Sequence, residues 1–212
     1  MNHNSTPRPA TARGQRTRRR VVEAAEAVFG RKGFERASIS DITRQAGVAL
    51  GTFYVYFPDK QALLVEVVDG LGARLRAELA RAIAGRTDRL EVEREGFRAF
   101  FAFTARHRLL YRVVRQSEFV DEACFRRYYR SFAAPYARAL AAAQRSGQVR
   151  RLDPEVLAYA LMGITDFLGM RYVLWGRGRR MEAVLDAAVA LVRQGMAAAP
   201  GATPGRATGR TA

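Results

Sequence analysis

Hydroxyl and ammonium groups are concentrated in one short segment of this chain. Thr52, Tyr54 and Tyr56 supply hydroxyl donors, and Lys60 supplies an ammonium group. Donors of this kind suit hydrogen bonds to phosphate oxygens. The formal net charge of +16 is consistent with a phosphate-containing partner. A strongly basic protein attracts polyanions such as DNA, RNA or an anionic membrane surface. Arginine supplies almost all of that charge, so a GC-rich genome that favours arginine codons is an alternative explanation.

Residues suited to catalysis are scarce. His3 and His107 are the only histidines, Cys124 is the only cysteine, and no nucleophile, metal-ligand or phosphate-loop motif accompanies them. We therefore expect no enzyme, no metal and no cofactor, and an enzyme acting on acidic substrates is the less favoured alternative. A single cysteine forms no intrachain disulfide, as expected in a reducing cytoplasm. Neither a signal peptide nor an uncharged apolar stretch of about 18 residues is present, which predicts no membrane association.

Short helices would position the hydroxyl donors. Apolar residues at helical spacing predict a first helix that Gly33 ends. Ser38 begins a capping box for a second helix over residues 39–46, and Gly47 can adopt the left-handed conformation that ends it. A third helix is predicted over residues 50–57. Two short helices across a tight glycine turn form a helix-turn-helix. The apolar residues predicted to form its core are Phe29, Phe34, Ile42, Val48, Phe53 and Phe57.

Helical spacing continues through the rest of the chain. Asp59 is a suitable N-cap for a long fourth helix, and Pro135 should kink or split a later one. Asp153 followed by Pro154 predicts the start of a very apolar helix that ends near Trp175, and a last helix is predicted over residues 181–198. We therefore predict an all-α fold. Its parts are a disordered basic arm (residues 1–15), a helix-turn-helix DNA-binding domain (16–62), a helical effector-binding and dimerisation domain (63–199) and a disordered tail (200–212).

The segment AVFGRKGFERASISDITRQAGVALGTFYVYFPDKQALL closely resembles the DNA-binding signature of the TetR family of bacterial transcription regulators. The resemblance covers about residues 16–70 without a gap. It implies an N-terminal three-helix DNA-binding domain, followed by a C-terminal helical ligand-binding and dimerisation domain. Ala49 departs from the family, in which a hydroxyl or small polar residue commonly caps the recognition helix. The residues expected at the DNA are Ser38, Thr43, Arg44, Leu50, Gly51, Thr52, Tyr54, Tyr56 and Lys60.

The C-terminal helices resemble the pair through which such regulators form homodimers. Their apolar stripes would build a four-helix interface from Leu157, Leu161, Ile164, Leu168, Leu185, Val189 and Val192. Aromatic residues are expected to line an apolar effector pocket or to pack in the core. Asp166 and Arg171 interrupt an apolar helix, so they pair, cross the dimer interface or hold a ligand. The expected pocket residues are Phe97, Phe101, Tyr111, Phe119, Phe125, Tyr128, Tyr129, Phe132, Asp166 and Arg171.

The resemblance implies a ligand-responsive, sequence-specific regulator, more often a repressor in this family. Its partners would be double-stranded DNA carrying a palindromic operator, a small-molecule effector of lipophilic or acyl type, and a second copy of the chain. It would be cytoplasmic, and associated with the nucleoid when bound to DNA. The basic arm suggests nonspecific affinity or a minor-groove contact. A nonspecific architectural DNA-binding protein is the alternative, which competition binding against random DNA would distinguish.

Overall fold

The structure is a computed structural model that describes residues 11–176 and 180–196. Within these ranges the chain has nine α-helices, one π-helical segment and no β-strand, so the predicted all-α fold is confirmed. The predicted tail and residues 1–10 of the predicted arm lie outside the described residues. The helices are α1 Ala12–Lys32, α2 Ile39–Ala46, α3 Leu50–Tyr56, α4 Lys60–Ile83, α5 Arg89–Arg106, α6 Arg108–Val120, α7 Glu122–Arg145, α8 Pro154–Leu168 and α9 Met181–Met196, and the π-helical segment is Gly169–Leu174.

The chain divides into two compact units. The first contains the described residues up to Leu75 together with His107–Tyr129, and the second contains Arg76–Arg106 and the described residues from Arg130 onward. Helices α4 and α7 each begin in the first unit and end in the second. The predicted domain boundary between residues 62 and 63 therefore falls inside a continuous helix.

The core of the first unit contains the residues that were expected to form the core of the helix-turn-helix. Phe29, Ile42, Phe53 and Phe57 are fully buried, and the expected core residues Phe34 and Val48 pack against them while partly exposed. Full burial of a side chain of this size stabilises a fold by about 1.5–3 kcal/mol relative to exposure. This core therefore fixes how α1, α2 and α3 are placed against one another.

Helix α1 begins earlier than the sequence suggested. Thr11 caps it, because its Oγ1 accepts the backbone N–H of Gly14 at 3.1 Å. Residues 12–15, assigned above to a disordered arm, are therefore the first turn of a helix. The absence of large apolar residues prompted that prediction, but arginine, alanine and glutamine are good helix formers that need no packing partner in a first turn.

The second unit has its own apolar core, built around Phe97, Phe101, Leu140, Leu161 and Leu185. It also encloses an ion pair: Glu93 is buried, and its Oε1 accepts hydrogen bonds from Arg89, with Nε at 2.7 Å. The Tyr136 hydroxyl donates to Oε2 of the same carboxylate. Burial raises the pKa of Glu93 above its usual range, and the Arg89 charge opposes that shift.

Two helix predictions in this unit had different outcomes. Asp153 caps α8, since its Oδ1 accepts the N–H groups of Glu155 and Val156, both at 2.9 Å, as expected. Of the two outcomes predicted for Pro135, a split does not occur, since α7 continues through it to Arg145, and a kink stays a prediction. A proline removes one helical hydrogen bond, and Ala133 and Leu140 on either side of it are buried.

Residues expected to join two copies of the chain lie instead in the core of a single copy. Leu161, Leu185, Val189 and Val192 are buried in the second unit, and the other predicted interface residues, Leu157, Ile164 and Leu168, pack against that core. The same two helices expose a different apolar stripe. It contains Val156, Tyr159, Phe167 and Leu191. Helix α8 is apolar on two faces, so its sequence did not reveal which face points inward.

One helical stretch among the described residues is apolar enough to span a membrane by length and composition alone. It is Pro154–Leu174, with a mean hydropathy of 1.2, and 28% of its most apolar window is buried. The stretch combines α8 with the π-helical segment.

Candidate nucleic-acid interface

A capping box fixes the start of α2. The Ser38 Oγ accepts the backbone N–H of Asp41 at 3.0 Å, and the Ser38 N–H donates to Asp41 Oδ2 at 3.2 Å. Lys32 Nζ lies 2.8 Å from Asp41 Oδ2, and Arg44 Nη2 lies 2.5 Å from Oδ1. The hydrogen bonds from Lys32 and Ser38 hold the pKa of Asp41 well below its usual range. Ser38, expected at the DNA, is exposed and also organises this helix end.

The turn between α2 and α3 is held from both sides. Gly47 has a left-handed backbone with φ of 63°, a conformation that favours glycine, and the Val48 N–H donates to the Thr43 carbonyl at 3.0 Å. Arg20, on α1, donates through Nη2 to the carbonyls of Ala46 at 2.5 Å and Gly47 at 3.2 Å. This role of Arg20 was not among the predictions. No local signal indicates it, because the two carbonyls lie 26 and 27 positions later in the chain.

Helix α3 exposes a face that its own fold leaves uncovered. Leu50 is 51% exposed, Tyr54 57% and Val55 70%, whereas Phe53 on the other side is fully buried. Gly51 is also exposed on this face. Exposed apolar side chains that form a contiguous patch often mark an interaction site. Val55 was not among the expected DNA residues, although its spacing of four residues from Gly51 could have identified it.

The hydroxyl residues of α3 differ in accessibility. Tyr54 projects from the exposed face, with its ring edge-on to Phe53 at 5.2 Å between centroids. Thr52 is half-buried, and Tyr56 is half-buried against the core of the first unit. None of the three lies in the packed interior. Ala49 leaves the helix start without a side-chain cap, as its residue type predicted.

Gly51 leaves open space beside the helix. A Cβ atom built at this position would meet no other atom of the chain within 4 Å, and Gly51 does not have a positive φ. Neither backbone geometry nor internal packing therefore requires glycine here.

Two expected DNA residues occupy unsuitable positions. Thr43 is only 4% exposed, and its hydroxyl donates to the Ser40 carbonyl at 3.2 Å. Lys60 points its Nζ at the carbonyls of Phe34 at 2.8 Å, Ala37 at 2.9 Å and Glu35 at 3.4 Å. An ammonium has three donors, and these bonds direct all of them to the loop between α1 and α2. Lys60 therefore positions that loop, while Arg44 remains exposed on α2 beside it.

The expected effector residues are divided between the two units. Phe97 and Phe101 lie together in the core of the second unit, where Phe132 is half-buried. Asp166 is half-buried, and Arg171 is exposed with its guanidinium 5.1 Å from the Tyr172 ring. Four others belong to the first unit and are half-buried: Tyr111, Phe125, Tyr128 and Tyr129.

Phe119 contradicts the pocket prediction. It is 88% exposed at the end of α6, so it lines no enclosed site. Spacing among aromatic residues suggested a shared pocket, but spacing along α6 does not reveal which side of the helix is covered.

Comparison with known proteins places the exposed face of α3 within a shared module. Residues 21–67 match the family described as bacterial regulatory proteins, tetR family. The chain is 33% identical over 172 residues to the HTH-type transcriptional regulator TtgR of Pseudomonas putida. That alignment covers 76% of this chain and 81% of TtgR.

Solved structures share the fold over most of the chain. The fatty acid degradation regulator FadR from Bacillus halodurans superposes with a TM-score of 0.74 at 21% identity, over 83% of this chain and 94% of that one. AibR, solved in complex with isovaleryl coenzyme A and operator DNA, superposes with a TM-score of 0.69 at 17% identity, over 82% of this chain and 97% of that one.

Proposed function

Because the chain belongs to the TetR family of DNA-binding transcriptional regulators, we propose that it binds a palindromic operator as a homodimer and releases it in response to a small-molecule effector. Repression is the proposed mode. The proposed location is the cytoplasm, on the nucleoid when bound to DNA.

The exposed face of α3 carries the proposal of sequence-specific binding. Leu50 and Val55 present apolar groups suited to thymine methyl groups, and the Tyr54 hydroxyl can donate to a phosphate or a base edge. Gly51 allows the DNA backbone or a base to approach closely. Ser38, Arg44, Thr52 and Tyr56 remain proposed contacts. Thr43 is omitted because it is buried, and Lys60 is omitted because its ammonium group donates to the loop between α1 and α2.

Selection of bound fragments from genomic DNA by the purified full chain tests this proposal. An inverted repeat should emerge, and Tyr54→Ala should weaken binding to that repeat. Phe119→Ala is the matched control, since it removes an exposed aromatic ring of the same unit away from α3. Equal affinity for the selected repeat and for random duplex would instead support a nonspecific architectural protein.

The exposed stripe of α8 and α9 supports the dimer proposal. Val156, Tyr159 and Phe167 follow one another along α8 at spacings that keep them on one face, and Leu191 is exposed on α9. Gly163 lies in the same stripe, and a Cβ atom there would meet nothing within 4 Å in its own chain. A two-fold pairing of these helices would bury the stripe in a four-helix interface.

Sedimentation of charged variants tests the dimer. Phe167→Asp should shift the chain from dimer to monomer, because a carboxylate in an apolar interface has no partner. Phe119→Asp makes the same chemical change at a comparably exposed phenylalanine and should leave the dimer intact. A dimeric Phe167→Asp variant would exclude this surface.

An apolar, acyl-type effector in the second unit is the remaining part of the proposal. Supporting it, the π-helical segment packs on α5, where the Phe100 ring lies 3.1 Å from the position of a Cβ on Gly169. π-helical segments often occur at functional sites. Titration with acyl coenzyme A thioesters of increasing chain length should release the operator, with free coenzyme A as the control. Retention of DNA with every thioester would reject this effector class.

A further inference from the structure

The first turns of α1 carry a concentration of positive charge. Between residues 11 and 22 the chain has five arginines and no acidic residue, and the first carboxylate of the helix is Glu23. Arg13 and Arg16, Arg16 and Arg19, and Arg16 and Arg20 are like charges three or four positions apart. Such pairs repel one another on a helix surface, and a nearby anion would relieve that repulsion.

Within the described part of the chain, internal contacts use two of the five arginines. Arg18 donates through Nη1 to Glu66 Oε1 at 2.6 Å and lies over the Phe57 ring. Arg20 donates to the turn before α3. Arg13, Arg16 and Arg19 are exposed. The internal contacts fix the rotation of α1, and therefore the direction in which its exposed arginines point.

The rotation aligns the exposed charge with the DNA-facing turn. At about 100° per residue, Arg13, Arg16 and Arg20 fall within about 60° of one another around the helix, and Arg18 lies on the opposite side. The rise of about 1.5 Å per residue places Arg16 about 6 Å and Arg13 about 10 Å along the axis from Arg20. The row of Arg20, Arg16 and Arg13 therefore begins beside Gly47, next to the start of α3. From there it runs toward the N-terminus of α1.

We propose that Arg13 and Arg16 bind phosphates of the DNA that flanks the sequence read by α3. This inference rests on the proposed function, since it assumes that α3 faces DNA. Arginine binds phosphate oxygens through paired donors, and phosphate contacts carry no sequence information. The row supplies affinity, while the face of α3 supplies selectivity.

Salt dependence of binding tests the row. The full-length double variant Arg13→Gln, Arg16→Gln keeps side chains of similar helix propensity. If each arginine neutralises one phosphate, the slope of log affinity against log salt should become shallower by about 1.8 per bound protomer. Affinity near 0.15 M salt should fall by about 30-fold per bound protomer. The loss should be equal for the selected operator and for random duplex, which leaves their ratio unchanged.

A matched charge control separates local contacts from net charge. Arg138→Gln, Arg145→Gln removes the same charge from exposed positions on α7 in the second unit and should leave the slope near that of the wild type. The proposed row is overturned if the two double variants have equal slopes, or if Arg13→Gln, Arg16→Gln changes the ratio between operator and random DNA. If the wild-type chain prefers no sequence, the proposed function fails, whereas an unchanged slope on random duplex rejects the arginine row by itself.

Discussion

Replacing Gly51 with alanine should make the protein more stable and its complex with DNA weaker. In the free chain the new methyl group would meet no atom within 4 Å, and the backbone of Gly51 is compatible with alanine. Alanine is favoured over glycine in a helix interior by about 0.5–1 kcal/mol. Gly51 is the second residue of α3, so we expect a gain near the lower end of that range.

The loss of DNA affinity should exceed the gain in stability. If the DNA approaches α3 as closely as the missing side chain permits, the added methyl group must displace part of the interface. Overpacking by a methyl group in a tight contact costs about 1–3 kcal/mol. At about 1.4 kcal/mol for each factor of ten, operator affinity should fall by about 5-fold to 150-fold.

Thermal unfolding and fluorescence anisotropy with a labelled operator measure the two effects. Gly70→Ala is the matched control, because Gly70 lies within α4 of the same unit and a Cβ there also meets nothing within 4 Å. The control should stabilise the fold and leave DNA affinity unchanged. Wild-type affinity in Gly51→Ala would refute the reasoning, since it would show that no partner comes close to this position.

Three further outcomes follow from the local structure. Ala49→Ser should raise the free energy of unfolding by about 1 kcal/mol in urea titrations, because it supplies the missing cap of α3. Lys60→Met should lower it by about 1.5–3 kcal/mol, since charged hydrogen bonds to three carbonyls are lost. Glu93 has a raised pKa in the folded chain, so the folded state holds its proton to higher pH than the unfolded state. Its contribution to stability should therefore fall as pH rises from about 4 through the folded pKa, and Glu93→Gln should remove that pH dependence in unfolding measured from pH 4 to 8.

Each of these outcomes has a control. Ala49→Val offers no hydroxyl and should not stabilise, so equal gains from serine and valine would exclude capping as the cause. Lys32→Met removes the other lysine, whose ion pair with Asp41 is partly exposed, and should cost less than about 1 kcal/mol. Equal losses from the two lysine variants would refute the positioning role of Lys60. An unchanged pH profile in Glu93→Gln would show that this carboxylate titrates alike in both states.

Local rules predicted the helix-turn-helix because its signals lie within a few residues of one another. The capping box at Ser38 and the left-handed Gly47 determine where α2 begins and ends, and both were identified from residue type and spacing. The buried stripe containing Phe53 followed from helical periodicity. The absence of a cap at Ala49 was equally visible in the sequence.

Contacts between residues far apart in the chain determine the features that were not predicted from the sequence. Lys60 contacts carbonyls that lie 23 to 26 positions earlier in the chain, and no local sequence pattern predicts those contacts. Leu161 and Val156 both lie on apolar α8, and only packing against α5 and α9 decides which of them is covered. The residues proposed for dimer contact consequently changed, although the helices that contain them did not.

The cationic side chains near α3 form hydrogen bonds within the protein, so we expect affinity for DNA and selection of its sequence to come from different residues. Lys60 holds a loop and Arg20 holds the turn, so neither charge is free to move toward a phosphate without breaking hydrogen bonds within the protein. The exposed face of α3 itself presents Leu50, Tyr54 and Val55, none of which carries a charge. Such a face can distinguish bases but contributes little of the counterion release that dominates affinity. Affinity must therefore come from cations outside α3.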